Sequence, residues 1–189
     1  MASTSVLIVL LLIATVTDLR WRLIYNWTTY PGIVLALACN GLATLVGLEP
    51  ESSVNSWLGL VGFGDSLAGL ASCGCLMLTC YVFFPGGVGG GDVKLLAMMG
   101  AVLGLVRGLE ALLWTFVLGG GLAAIMLVWQ FGAWKLLFRT IQVLAFTLRF
   151  RTLGPLSDEE RQRLKTDLHL TPSALAAVLI VQFQVVRWF

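Results

Sequence analysis

The sequence predicts an all-α, polytopic membrane protein of about six transmembrane helices, and three observations carry that prediction. Of 189 residues, 58% are hydrophobic and only 12% charged, against roughly 45–50% and 25% in soluble domains. Apolar, charge-free windows recur along the whole chain, and Lys and Arg gather on alternate loops between them. A soluble fold of this size has too little interior to hide so much apolar surface. The formal net charge of +2 argues against nucleic acid as a partner, because such binders display a broad basic face. The lipid bilayer is the expected surroundings.

A spanning helix needs about 20 mainly apolar residues. The windows that qualify are Ala2–Thr17, Tyr30–Leu48, Ser66–Phe84, Val93–Val106, Ala111–Phe131 and Pro172–Phe189, the first and fourth being short. The first differs from a signal peptide, with no Lys or Arg ahead of its apolar run and no small-residue cleavage site behind it. Its positive charges, Arg20 and Arg22, follow the span, which puts the amino terminus outside and the Asp18–Thr29 loop in the cytoplasm. Alternation then assigns the remaining loops. Arg20, Arg22, Lys94, Lys135, Arg139, Arg149, Arg151, Arg161, Arg163 and Lys165 fall on the cytoplasmic side, leaving only Arg107 and Arg187 of the twelve outside.

The cytoplasmic segment 132–171 is expected to hold structure of its own. Lys135, Arg139, Gln142 and Arg149 alternate at helical spacing with Leu137, Phe138, Ile141, Leu144 and Leu148, the pattern of a helix lying in the membrane interface. A seventh span is the rival reading, at the cost of placing Lys135 and Arg139 in lipid. Ser157 and Glu160 form a capping-box pattern, and Thr171-Pro172 reads as the N-cap and first residue of the last span. With no internal repeat visible, one membrane-embedded domain accounts for residues 1–189.

Ionisable residues at the edges of spans are candidates for function, because hydrocarbon penalises charge. Asp18 ends the first span and Asp92 begins the fourth. Two complete crossings lie between them, so both carboxylates return to the same, cytoplasmic, face. A carboxylate pair suits hydrolysis: one, ionised, takes a proton from water, while the other, protonated, hydrogen-bonds the scissile carbonyl. Asp92 follows Pro85-Gly86-Gly87-Val88-Gly89-Gly90-Gly91. Glycine permits positive φ and close backbone approach, so this stretch suits a re-entrant loop lining a wet cavity. The Lys-Ser/Thr ending of a phosphate-binding loop is missing, and a flexible turn is the plain alternative.

These residues resemble a known family. Gly89-Gly90-Gly91-Asp92, continuing Val93-Lys94-Leu95-Leu96-Ala97 and Gly100, is similar to the GxGD motif and following helix of the prepilin peptidases, the intramembrane aspartic proteases that process type IV prepilins. Asp18-Leu19-Arg20-Trp21-Arg22-Leu23-Ile24-Tyr25-Asn26 is similar to the family's first motif, an aspartate followed by a basic run and Ile-Pro-Asn. Tyr25 stands where that motif has proline. The resemblance covers roughly residues 5–130 and the last span.

It implies an aspartic endopeptidase of the plasma (inner) membrane, cutting a short basic leader from prepilin-like substrates at the cytoplasmic face. Asp18 and Asp92 would be the catalytic pair, with Gly89, Gly91, Asn26 and Lys94 shaping the loops around the substrate. Longer members carry a zinc-binding tetracysteine domain and methylate the new amino terminus. The Asp18–Thr29 loop has no room for such a domain, so the chain resembles the compact peptidase core, with no cofactor expected.

The remaining polar residues have blander readings. Lys94 either steadies Asp92 or anchors a helix end at the interface. Asp65 reads as an N-cap of the third span, Glu110 as an outer helix-start charge and His169 as structural. Gly119-Gly120-Gly121 reads as a site of close helix packing. Cys39, Cys73, Cys75 and Cys80 lie in apolar runs and read as small hydrophobes, with neither disulfide nor metal spacing. Trp21, Trp27, Trp57 and Trp188 near span ends read as interface anchors. Two other functional classes remain from sequence: a small ion- or proton-coupled transporter or channel subunit, disfavoured because its site would lie at the midplane between inverted repeats, and an inactive pilus or secretion assembly factor.

Overall fold

The computed structural model describes residues 2–21, 23–47, 57–83, 88–131 and 170–183, and every regular element among them is helical. In order these are α1 (Ala2–Trp21), α2 (Asn26–Leu45), α3 (Phe63–Phe83), α4 (Gly90–Phe131) and α5 (Thr171–Gln182). The first four are long and apolar enough to cross a membrane; α5 is a shorter apolar helix. Of the six expected segments, α4 carries the fourth and fifth, and α5 the described part of the sixth. The expected interfacial helix, Ser157, Glu160 and His169 lie outside the described residues, as do Pro85-Gly86-Gly87 and Trp188.

The chain divides into two compact units, Met1–Val117 with His169–Phe189, and Leu118–Leu168. The second is described only through residues 118–131, the carboxy-terminal part of α4, where Leu122, Ile125 and Trp129 are exposed. Among the described residues, a side chain at Gly120 or Gly121 would meet nothing within 4 Å, so the expected close packing is not found at these two glycines.

In the first unit the close packing falls elsewhere. Gly104 has φ 80° and ψ −175°, a conformation open to glycine and costly for other residues. Gly100 and Gly108 would lie about 12 Å apart on one straight helix, yet a Cβ on Gly108 would stand 3.0 Å from the Gly100 Cα. The chain therefore reverses at Gly104, and α4 is two arms, 90–103 and 105–131. The expected outer loop at Arg107–Glu110 is helix instead, because the turn needs a glycine and not a charge. Asp65 serves this turn. Its Oδ1 accepts the Leu105 N–H at 3.1 Å, capping the second arm, where sequence had it capping α3.

The first arm is about 21 Å long, short of the roughly 30 Å hydrocarbon thickness. It is also buried nearly all round: Leu95, Leu96, Met98, Met99, Ala101, Val102 and Leu103 are all interior. A helix apolar on every side belongs in a core, and the others surround it with small or slender faces. α2 presents Thr29, Gly32, Ala36, Asn40 and Ala43; α3 presents Ser66, Gly69, Cys73 and Met77; α5 presents Ala174, Ala177, Val178 and Val181. A Cβ on Gly69 would collide with the Gly100 carbonyl oxygen, and one on Gly32 with Met98. Large apolar side chains such as Val9, Val34, Leu78 and Leu113 point outward. Small inside and large outside is what lipid selects, since burying apolar area gains little there and close contact supplies the attraction.

Polar ties fasten the end of the unit that holds the Gly104 turn. Asn40 Oδ1 accepts the N–H groups of Val61 and Gly62, at 2.9 and 3.2 Å. Ser3 Oγ donates to the Gly59 carbonyl at 2.7 Å and Ser66 Oγ to that of Ala101 at 2.6 Å. The candidate residues gather at the opposite end.

Candidate active site

Asp18 lies in the last turn of α1, which continues to Trp21 instead of stopping at Thr17. The charge-free window ended at Asp18 only because a carboxylate closes such a window; the helix itself runs on. Asp18 is half-buried, and its Oδ2 accepts a 2.6 Å hydrogen bond from Thr171 Oγ1. Thr171 is fully buried and is the first residue of α5, which packs along α1. It does not cap its own helix: Leu170 occupies the N-cap, without a side-chain cap. The N-cap expected at Thr171 is corrected accordingly, and the hydroxyl is spent on Asp18.

Ile24 and Tyr25 bridge α1 to α2. Tyr25 has φ −73° and ψ 135°, within the range to which a proline ring would lock φ. Tyrosine thus reaches the backbone shape that the motif's proline would impose. Its carbonyl accepts both the N–H and the hydroxyl of Thr28, at 3.1 and 2.8 Å, starting α2 at Asn26, four residues earlier than the apolar window suggested.

Asp92 is buried in the first turn of α4. Its N–H donates to the Gly89 carbonyl at 3.1 Å, and its Oδ2 accepts the Gly89 N–H, also at 3.1 Å. The second bond is the N3 half of a capping box, the carboxylate of the third helical residue accepting the N-cap N–H; glycine has no side chain to return it, and its backbone carbonyl takes the Asp92 N–H instead. The helix dipole favours negative charge at this position. The glycines have separate uses. A Cβ on Gly91 would stand 2.9 Å from Ile24 Cβ and one on Gly89 3.1 Å from Asp92 Oδ2, whereas one on Gly90 would meet nothing within 4 Å. None of the three has positive φ, so close approach, not backbone inversion, explains Gly89 and Gly91.

The contact of Gly91 with Ile24 joins the two motifs. Ile24 follows Asp18 by six residues and Gly91 precedes Asp92, so both aspartates sit at one end of the first unit. A second tie runs alongside: Lys94 Nζ donates to Asn26 Oδ1 at 2.9 Å and lies 5.1 Å from the Tyr30 ring centroid. Lys94 thus links the first turns of α4 and α2. Thr29 belongs to the inward face of α2, and its hydroxyl is buried with no partner among the described residues. Sequence reasoning missed the contact of Thr171 with Asp18, since a lone threonine beside an apolar run carries no spacing signal.

Among the described residues, no group of three or more His, Cys, Asp and Glu is placed to hold a metal ion. The four cysteines are unpaired, Cys73 filling the gap beside Gly100 and Gly108.

The fold defines the class first: an all-helical protein with several helices of membrane-spanning length and apolarity. The model of the type IV leader peptidase family matches residues 5–124, and the chain belongs to that family. The matched segment takes in Asp18, Asn26, Gly89, Gly91, Asp92 and Lys94, while α5 and Thr171 lie beyond it. Neither a curated protein nor a solved structure matches the chain.

Proposed function

We propose that this protein is an intramembrane aspartic endopeptidase that removes the short basic leader of prepilin-like proteins at the cytoplasmic face of the plasma membrane. The family establishes a leader peptidase; the observation that carries the finer reading is that Asp18 and Asp92, from the two motif segments, reach the same end of one helical unit. Each has its Oδ2 held by a neighbour, Thr171 for Asp18 and the Gly89 N–H for Asp92.

The reaction follows from sharing one proton between two carboxyl groups. The ionised member takes a proton from water as the water oxygen attacks the scissile carbonyl carbon. The protonated member hydrogen-bonds the carbonyl oxygen and stabilises the tetrahedral intermediate. Collapse breaks the C–N bond, and the proton gained from water passes to the departing amine. The transporter reading loses ground to the family match, and an assembly role without catalysis fails if cleavage is seen.

Purified protein in nanodiscs, given a synthetic peptide with a basic leader, a glycine and an apolar segment, is expected to cut once directly after the glycine, at a rate unaffected by a chelator. Mass spectrometry reads the cut. Inhibition by chelation with recovery on adding zinc would contradict the mechanism.

A further inference from the structure

We infer that Thr171 is a positioning residue of the site, orienting Asp18 through its hydroxyl so that Oδ1 faces the attacking water. The inference rests on the catalytic reading of Asp18 and adds a residue from α5, outside the segment that the family model matches.

A half-buried carboxylate at the end of a helix has freedom about χ1 and χ2, and catalysis requires one orientation. Thr171 restricts it in three ways. Its hydroxyl has a single proton to donate, and that proton goes to Asp18 Oδ2. The 2.6 Å separation lies in the range of hydrogen bonds to an ionised oxygen. The donor itself is rigid: Thr171 is β-branched, with few χ1 choices, and fully buried.

Its backbone is fixed as well. Thr171 opens α5 with Pro172 directly behind it, and the Ala174 N–H bonds the Leu170 carbonyl at 2.9 Å. The buried α5 face of Ala174, Ala177, Val178 and Val181 holds that first turn in place beside α1. A capping role would spend the hydroxyl on the N–H groups of α5, and no such bond is made. The one polar atom of this buried side chain is committed to another helix's carboxylate.

The test compares Thr171→Val, which keeps the shape and loses the donor, with Thr171→Ser, which keeps the donor, both as full chains in nanodiscs with the leader peptide. Misplacing a reacting group by about 1 Å can cost on the order of 100-fold, so Thr171→Val is expected to lose roughly 10- to 100-fold in kcat, with KM within about twofold of the parent. Thr171→Ser is expected to recover most of that loss. Melting temperatures of all variants are read in parallel; if Thr171→Val does not fold, Thr171→Ala takes its place. Parental kcat in the hydroxyl-free variant, a change in KM alone, or a Thr171→Ser variant as impaired as Thr171→Val would overturn the inference. Asp18→Asn, assayed beside them, separates the two claims: if it still cleaves, the catalytic reading of Asp18 falls and this inference with it. If Asp18→Asn is inactive and Thr171→Val is not slowed, only the inference falls.

Discussion

Lys94 and Asn26, 68 positions apart in the chain, are joined by a 2.9 Å hydrogen bond from Nζ to Oδ1. With the Tyr30 ring beneath the ammonium, this bond ties the helix start that carries Asp92 to the helix start that follows Asp18.

Cutting that tie should loosen the site more than the fold. The bond is exposed, so Lys94→Met is expected to cost about 0.5–1.5 kcal/mol in stability. A larger fall in cleavage is expected, because Asp92 lies two residues from the lost contact. Chemical denaturation and a cleavage assay on the same preparation check both. Parental activity in Lys94→Met would mean that the link is dispensable to the site.

The glycine run should divide under substitution. Gly91→Ala forces a Cβ against Ile24, and overpacking of this kind costs about 1–3 kcal/mol, here by pushing apart the two segments that carry the aspartates. Gly90→Ala meets open space and gains helix propensity of up to ~1 kcal/mol. Cleavage by Gly90→Ala should match the parent while Gly91→Ala falls well below it; equal behaviour of the two would contradict the assigned contact.

Tyr25→Pro should be tolerated. The backbone already has φ −73°, and no bond from the Tyr25 N–H is made among the described residues. Reduced freedom of the unfolded chain is then worth about 0.4–1 kcal/mol, seen as a raised melting temperature with cleavage retained. A lowered melting temperature would show that the ring has a use which the backbone geometry does not reveal.

At the opposite end, Asp65→Ala should destabilise by about 0.5–2 kcal/mol, as the loss of a helix cap does, since the Leu105 N–H loses its acceptor. Gly104→Ala should be worse, because it adds a side chain both at positive φ and against Asp65. Thermal unfolding in detergent ranks the two. The reverse order would mean that the turn is held by something other than the glycine.

Much of this was legible from residue order alone. Apolar windows located all five helices, because a spanning helix must be continuously apolar, and the two motifs brought Asp18, Asn26, Gly91, Asp92 and Lys94 into view. Helix ends were less legible: α1 runs past Asp18, since a rule that halts at charge cannot see helical backbone continuing through it, and α2 begins before Tyr30, since its first turn, Asn26–Thr29, is mostly polar and falls outside an apolar window. The turn at Gly104 escaped because one glycine in an apolar run looks like any other, and the residues that pack against it, Asp65 and Gly69, come from another helix. Thr171 escaped for the same reason, its partner being 153 positions away.

The central claim is that Asp18 and Asp92 act as one catalytic unit, and the cleavage rate of four proteins tests it most directly: the parent, Asp18→Asn, Asp92→Asn and the double variant, each folded in nanodiscs with the same leader peptide. Asparagine keeps the size and hydrogen bonding of the carboxylate but cannot take part in the proton exchange. Groups that work as a unit are non-additive, so each single variant should lose as much activity as the double. Substantial cleavage by either single variant would contradict the account.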